Sequence, residues 1–276
     1  MSDLAGQVAV VTGGGRGVGR GIVEALAARG MRVAVVGRSV AEIEAVAEIA
    51  REISGGALAV VTDVTDRAAV ESMVSRVSEV LGPIALLVNN AARAQSVGPP
   101  WLVDPEDWWC DVEVNLRGSF LCTHAVLQSM IERRAGRIVN LVTLAAAISY
   151  PFASAYASSK AAVLRFTDSL ALAVAPHGIS VFAISPGLVK TRLLDEMTSS
   201  PAGREWLPEF EDRTDYVPAS LAGQLVADLA SGVADRLTGR FIHVSDDLAD
   251  LVAHADAIVE ADSRKLRLPT SFDARE

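Results

Sequence analysis

The sequence predicts an α/β fold, a doubly wound parallel sheet of seven strands with helices on both faces, in three αβα layers. Three observations carry that expectation. Short β-branched runs alternate with segments of helical period from Val8 to Val244. The first run breaks at once into a glycine turn that opens a helix. Hydrophobic residues make up 50% of the chain and mean hydropathy is +0.31. The excess lies in Ala, Val and Leu, as strands buried on both faces require. No composition shift, repeat or low-complexity stretch divides the 276 residues. One domain is therefore expected, with a core over about 6–244 and a helical extension over about 245–276.

The first strand is Val8–Thr12, and Gly13-Gly14-Gly15-Arg16-Gly17-Val18-Gly19 follows it. Strand, glycine turn and helix form the context of a phosphate-binding loop. Glycines let the backbone approach a pyrophosphate, and the helix N-terminus offers free N–H groups. Gly13, Gly15, Arg16, Gly17, Val18 and Gly19 are thus candidate cofactor contacts. The second strand, Met31–Val36, ends at Gly37-Arg38, where dinucleotide folds that prefer NAD place an acid on the ribose 2′-hydroxyl. With no acid there, and with Arg16 and Arg38 beside it, the corner suits a 2′-phosphate. NADP(H) is the expected cofactor, ahead of NAD(H).

A helix over about Val40–Ser54 precedes the third strand, Ala57–Val61, which ends at Thr62-Asp63-Val64. Asp63 at that tip is placed to bind an adenine amino group, with Val64 beside it. Asp66 caps a helix reaching about Leu81, and Ile84–Val88 is the fourth strand. Asn89 and Asn90 at its end either tie strands together or touch the cofactor; Asn89 reads as mainly structural. Asp104-Pro105 starts a helix running to about Arg134 and carrying Asn115. An amide inside an apolar helix must be satisfied, by backbone or by a held water. The fifth strand is Arg137–Val142, and Thr143 stands at its end.

Tyr156 and Lys160 are four apart in the next helix, hence on one face. A tyrosine titrates at about 10. A neighbouring ammonium is expected to lower that value and make Tyr156 a general acid and base. Ile179–Ile184 is strand six, followed by Pro186, Gly187, Val189 and Thr191. From Arg192 to Pro218 the pattern turns irregular and aromatic, as in a lid or binding loop. A helix over Leu221–Leu229 and a seventh strand, Phe241–Val244, complete the sheet. Beyond them Leu248, Leu251, Val252, Ala255, Ile258 and Val259 form one apolar helical stripe.

Net charge is −9, which speaks against nucleic acid and against an anionic membrane surface as partners. Cys110 and Cys122 have neither metal-site nor disulfide spacing, so no metal and buried free thiols are expected. With no signal-peptide pattern and no long apolar run, a cytoplasmic location is expected.

These residues resemble the short-chain dehydrogenase/reductase family from about Gly6 to Val244. Thr12, Gly13, Gly17 and Gly19 match its TGxxxGxG, and Asn89-Asn90-Ala91-Ala92 matches its NNAG with Ala for the last Gly. Its Asn–Ser–Tyr–Lys tetrad maps to Asn115, Thr143, Tyr156 and Lys160, with Thr for Ser. The resemblance implies a Rossmann fold and hydride transfer between a nicotinamide and a small carbonyl or secondary alcohol. Within it Thr143 holds the oxygen, Tyr156 moves the proton, Lys160 bonds the cofactor ribose and Asn115 keeps a water. Pro186, Gly187, Val189 and Thr191 would contact the nicotinamide end. It also implies a homodimer or homotetramer built on the two long helices, with the tail covering the edge of strand seven or reaching a partner, in part through Leu266–Leu268.

Two other readings remain open. One is reduction of a 3-oxoacyl group on an acidic carrier protein: Arg134 resembles one of two docking arginines, but His177 stands where the other would be. The second is a nucleotide-sensing protein that kept the fold and lost the reaction.

Overall fold

A computed structural model of the chain describes residues 4–267. Seven strands pair in parallel in the order β3-β2-β1-β4-β5-β6-β7. They are β1 (Val8–Thr12), β2 (Arg32–Gly37), β3 (Ala57–Val61), β4 (Ile84–Asn89), β5 (Gly136–Leu141), β6 (Ile179–Ser185) and β7 (Phe241–His243). The chain crosses over between β1 and β4, and a doubly wound sheet opens a ligand crevice at that switch point. Residues of β1 are buried along its whole length, which is why its sequence is continuously apolar rather than alternating.

The helices fill two layers. On one face lie α1 (Gly17–Ala28) and α2 (Val40–Ser54), packed over Ala9, Val11, Val33 and Val35. On the other lie α3 (Arg67–Val80), α4 (Pro105–Val112), α5 (Gly118–Arg133) and α6 (Ser154–Val174), of which α3, α5 and α6 cover Val10, Ala34, Leu87, Ile138 and Val181. The Asp66 carboxylate caps α3 by accepting the Ala68 and Ala69 N–H groups, and Asp104 caps α4 likewise ahead of Pro105.

Three expectations are corrected. The helix read as continuous from 104 to 134 is interrupted by a π-helical turn at Glu113–Arg117, which contains Asn115. The irregular stretch after strand six is instead α7 (Arg192–Ser199), α8 (Pro201–Trp206) and a 3₁₀ turn at Pro208–Phe210. Their shortness hides any helical period. α9 (Ala219–Ala230) then packs on α1. The single tail stripe is two helices, α10 (Leu248–Ala253) and α11 (Ala255–Glu260), broken at His254. Leu251 and Ala255 are buried against the α1 layer, with Leu248, Val252 and Ile258 beside them.

After α11 the chain returns along the outer edge of β7. The Phe241 N–H donates to the Arg264 carbonyl at 2.8 Å, and Arg264 Nε donates to the Phe241 carbonyl at 3.0 Å. Lys265 Nζ stands 2.8 Å from both Asp168 and Asp262, and Leu266 packs beside Val163 and Leu164. The tail thus covers an otherwise open edge; Leu268, read with Leu266 as a pairing segment, lies outside the described residues.

Cys122 is buried, and burial pushes its thiol up to about 12. Cys110 is exposed, contrary to the expectation of two buried thiols, because its position on α4 faces outward. Among the described residues no helix is long and apolar enough to cross a membrane, and no group of three metal-ligating side chains occurs.

Candidate functional site

A cleft of about 660 Å³ runs along the carboxyl ends of the central strands. Gly13, Gly15, Arg16, Gly17, Val18, Gly19, Arg38, Asp63, Val64, Asn90 and Thr191 all line it. Asn90 braces the glycine turn, with Nδ2 donating to the Thr12 carbonyl at 2.8 Å and the Gly13 carbonyl at 3.1 Å. Thr12 Oγ1 in turn accepts the Asn90 and Ala91 N–H groups. The turn tolerates no side chain at Gly13 or Gly19. Gly13 has φ +62, and a Cβ on Gly19 would stand 2.1 Å from the Gly13 carbonyl oxygen. No side chain caps α1, so its first N–H groups face the cleft free to bind an anion.

Asn89 points away from the cleft. Its Nδ2 donates to Thr123 Oγ1 and to Asn140 Oδ1 (3.0 and 2.8 Å), which ties β4 to β5 and α5.

At the far end, Arg38 is exposed and 3.9 Å from the Asp63 carboxylate. Burial pushes the Asp63 carboxyl upward, but the Thr65 N–H and hydroxyl and the Arg38 charge outweigh it and hold it below the ordinary value. Thr62 Oγ1 is buried without a hydrogen-bond partner at the same strand tip. Contrary to the expectation from sequence, the corner is not free of acid. Glu42, from the first turn of α2, stands 3.4 Å from Arg16 and 3.5 Å from Arg192. It lies five residues past Gly37, beyond the strand-tip position where an acid was sought. A glycine cradle, an uncapped helix start and an unpartnered hydroxyl fit a dinucleotide.

None of the four tetrad positions, Asn115, Thr143, Tyr156 and Lys160, lines this cleft. Lys160 is buried, and its Nζ donates to the Leu141 carbonyl at 2.8 Å, at the end of β5. The same Nζ lies 5.8 Å from the centre of the Tyr156 ring. Thr143 begins a 3₁₀ turn, its Oγ1 accepting the Ala145 N–H at 3.3 Å. Asn115 is fully buried. Its Oδ1 accepts the Arg93 N–H, and its Nδ2 donates to the Arg93 carbonyl and to Ser159 Oγ, each at 2.9 Å. The Arg93 backbone and the Ser159 hydroxyl thus satisfy that amide. The Asn115 carbonyl, inside the π-turn, accepts the Ser119 hydroxyl at 2.7 Å.

The expected lowering of the Tyr156 pKa is not found. Burial, and then the Asp111 charge, push the phenol up to about 12. Burial also brings Lys160 down to about 8. Loss of solvent penalises both charged forms.

Pro186, Gly187 and Val189 follow β6, with Val189 buried, and the Val217 N–H donates to the Leu188 carbonyl between them at 2.8 Å. They do not line the main cleft with Thr191, which caps α7 through the Leu194 N–H at 3.3 Å.

Sequence reasoning missed Asp111. It is fully buried, accepts the Gln95 and Ser96 N–H groups, and pairs closely with Arg93. Arg93 also reaches Asp107 at 2.6 Å. Asp107 and Asp111 lie four apart on α4 and so share a face, a legible spacing whose partner only the fold supplies.

Over Tyr156 lies an apolar cluster of Ala94, Val97, Met197 and Leu207 with Tyr150, Phe152, Trp206 and Phe210 against it. Its members come from the loop after β4, the segment before α6, and α7–α8.

The family model described as short chain dehydrogenase matches residues 7–202. A short chain dehydrogenase of Pseudocercospora fijiensis is 34% identical over 270 residues, covering 93% of this chain and 85% of that one. A 3-oxoacyl-[acyl-carrier-protein] reductase of Synechocystis sp. is 35% identical over 203 residues, 73% of this chain and 81% of its own. Among solved structures, a single-substitution variant of actinorhodin polyketide ketoreductase with NADPH superposes with TM-score 0.78 at 32% identity, covering 88% of this chain and 97% of that one.

Proposed function

The chain belongs to the short-chain dehydrogenase/reductase family and is an oxidoreductase; on that premise we propose an NADP(H)-dependent enzyme that interconverts a carbonyl and a secondary alcohol, with Tyr156 as its general acid and base. The observation that carries this reading is the phenol of Tyr156 beside buried Lys160, whose Nζ bonds the end of β5. When bound, the nicotinamide supplies or accepts the hydride.

The chain's own residues handle the oxygen and its proton. Thr143 Oγ1 accepts an N–H and keeps its hydrogen for the substrate oxygen. As the carbonyl carbon gains a bond to hydrogen, the C=O π pair moves to oxygen and takes the Tyr156 proton. A phenol raised to about 12 holds that proton through the neutral range. Lys160 spends one donor on Leu141 and keeps two for ribose hydroxyls. Asn115 locks the Arg93 backbone to α6 through Ser159. In the cleft Gly13, Gly15, Gly17, Val18 and Gly19 would cradle the pyrophosphate, Asp63 and Val64 the adenine, and Arg16 and Arg38 the 2′-phosphate. Pro186, Gly187, Val189 and Thr191 would take the nicotinamide end. A cytoplasmic location, and a homodimer or homotetramer joined through α5 and α6, complete the reading. The latter is supported by the exposed Phe120, which meets Phe166 of α6 at 6.0 Å, and by the exposed Leu172.

A screen of ketones and secondary alcohols, read by NADPH absorbance, tests the activity. Reduction of a carrier-bound 3-oxoacyl group ranks second. Arg134 Nη2 donates to the Pro176 carbonyl at 2.8 Å, which turns that guanidinium to the chain's own loop.

Two variants test the roles. Arg38→Ala should weaken NADPH at least tenfold more than NADH in fluorescence titrations, because only NADPH carries the 2′-phosphate; equal losses would contradict the assigned corner. Thr143→Ala should cost about 2–4 kcal/mol of transition-state stabilisation in kcat/KM, as for a lost oxyanion donor. Thr143→Ser should retain most activity.

A further inference from the structure

Resting on the reading of the cleft as a dinucleotide site, we propose that Glu42 and Arg192 are positioning residues. They form a charged clasp that holds the start of α7 against the glycine turn and slows release of the dinucleotide. Four charges alternate across the mouth of the cleft, and all four line it. Arg16 of the glycine turn stands 3.4 Å from Glu42 in the first turn of α2, and Glu42 stands 3.5 Å from Arg192. Arg192 in turn reaches Glu196, one turn along α7, at 2.6 Å. Both walls of the cleft are thereby joined, α2 and the glycine turn on one side and α7 on the other.

The backbone on each side is already close. The Glu42 Cβ lies 3.0 Å from where a Cβ on Gly15 would stand, and the Thr191 Cγ2 lies 3.1 Å from where one on Gly17 would. Arg192 is a poor residue with which to open a helix, since a cation in the first turn opposes the helix dipole. Nor is it needed as a cap, because Thr191 already caps α7 through the Leu194 N–H. Leu193, Leu194 and Met197 turn the opposite side of α7 to the apolar cluster around Tyr156. That leaves Arg192 facing α2, where its acid partners offset the dipole. Two positive and two negative charges balance, so the clasp spans the mouth without a net charge against the dinucleotide phosphates. Exposed ion pairs are individually weak, so the clasp slows release and does not block it.

Glu42→Gln, Arg192→Gln and the double variant test the pair by stopped-flow displacement of NADH. NADH is the probe because it has no 2′-phosphate for an Arg16 freed from Glu42 to engage. Each single variant should release NADH about threefold faster than wild type, the size expected of exposed ion pairs. The double variant should be no faster than either. Backbone hydrogen exchange over Arg192–Ser199, measured without dinucleotide, should quicken about threefold in each variant, with thermal midpoints unchanged. Unchanged NADH release in Glu42→Gln, or unchanged α7 exchange, would overturn the clasp and leave the reductase reading standing. Faster release from the double variant than from Glu42→Gln would mean that Arg192 meets the dinucleotide itself, and would overturn its role through Glu42. If neither NADH nor NADPH binds the wild type, the cofactor reading falls, and the α7 exchange decides the clasp by itself.

Discussion

Tyr156→Phe should lower kcat/KM for ketone reduction by about 10³-fold or more, the upper part of the range for a lost general acid, while NADPH binds within twofold of wild type. The substitution removes one hydroxyl and keeps the ring in its apolar cluster with Ala94, Val97 and Met197, so packing is preserved. Rapid-mixing kinetics with saturating NADPH isolate the chemical step. The pH dependence gives the same group a second reading. With the phenol pushed up to about 12, the proton is present across the neutral range and reduction should vary little there. Alcohol oxidation needs the phenolate and should climb with pH over the same interval. A variant within tenfold of wild type, or an oxidation rate that falls as pH rises, would remove Tyr156 from the proton path.

Asp111→Ala should destabilise the fold by about 3 kcal/mol, the low end for breaking a buried ion pair because Arg93 stays partly exposed. The carboxylate is fully buried, whereas the Arg93 side chain retains 19% of its surface. Removing Asp111 strands that guanidinium with Asp107 alone and leaves the Gln95 and Ser96 N–H groups without an acceptor. Asp111→Asn should cost less, since an amide oxygen still accepts. Urea denaturation midpoints measure both. A change under about 1 kcal/mol for Asp111→Ala would mean that loop backbone and water replace the pair. The loop tied by Asp111 also carries the Arg93 backbone that Asn115 grips, so activity should fall with stability.

The sheet was legible because each strand is a short β-branched run ending in turn residues, and every predicted strand lies within a residue or two of the observed one. The glycine turn was legible for the same local reason. Asn115 was legible as an anomaly, an amide on an apolar helix, but its π-turn was not. A widened helical turn is set by what the bulge must reach, here Arg93 and Ser159, and no propensity announces it. The spacing of Tyr156 and Lys160 gave their proximity correctly. It could not give the direction of the phenol's pKa, which depends on burial by the surrounding elements and on the Asp111 charge. Glu42 was hidden for a related reason, since α2 folds its first turn back onto the glycine loop and only tertiary structure brings that acid to Arg16.

The central claim, hydride transfer to a carbonyl with a proton from this chain, is tested most directly by isotope. A ketone is reduced with NADPH deuterated at the nicotinamide C4, and the alcohol is examined by mass spectrometry and proton NMR. The account predicts one deuterium on the carbinol carbon with wild type and no labelled alcohol above background with Tyr156→Phe. NADPH that binds tightly yet is never consumed by any ketone, as a nucleotide-sensing protein would behave, would contradict it.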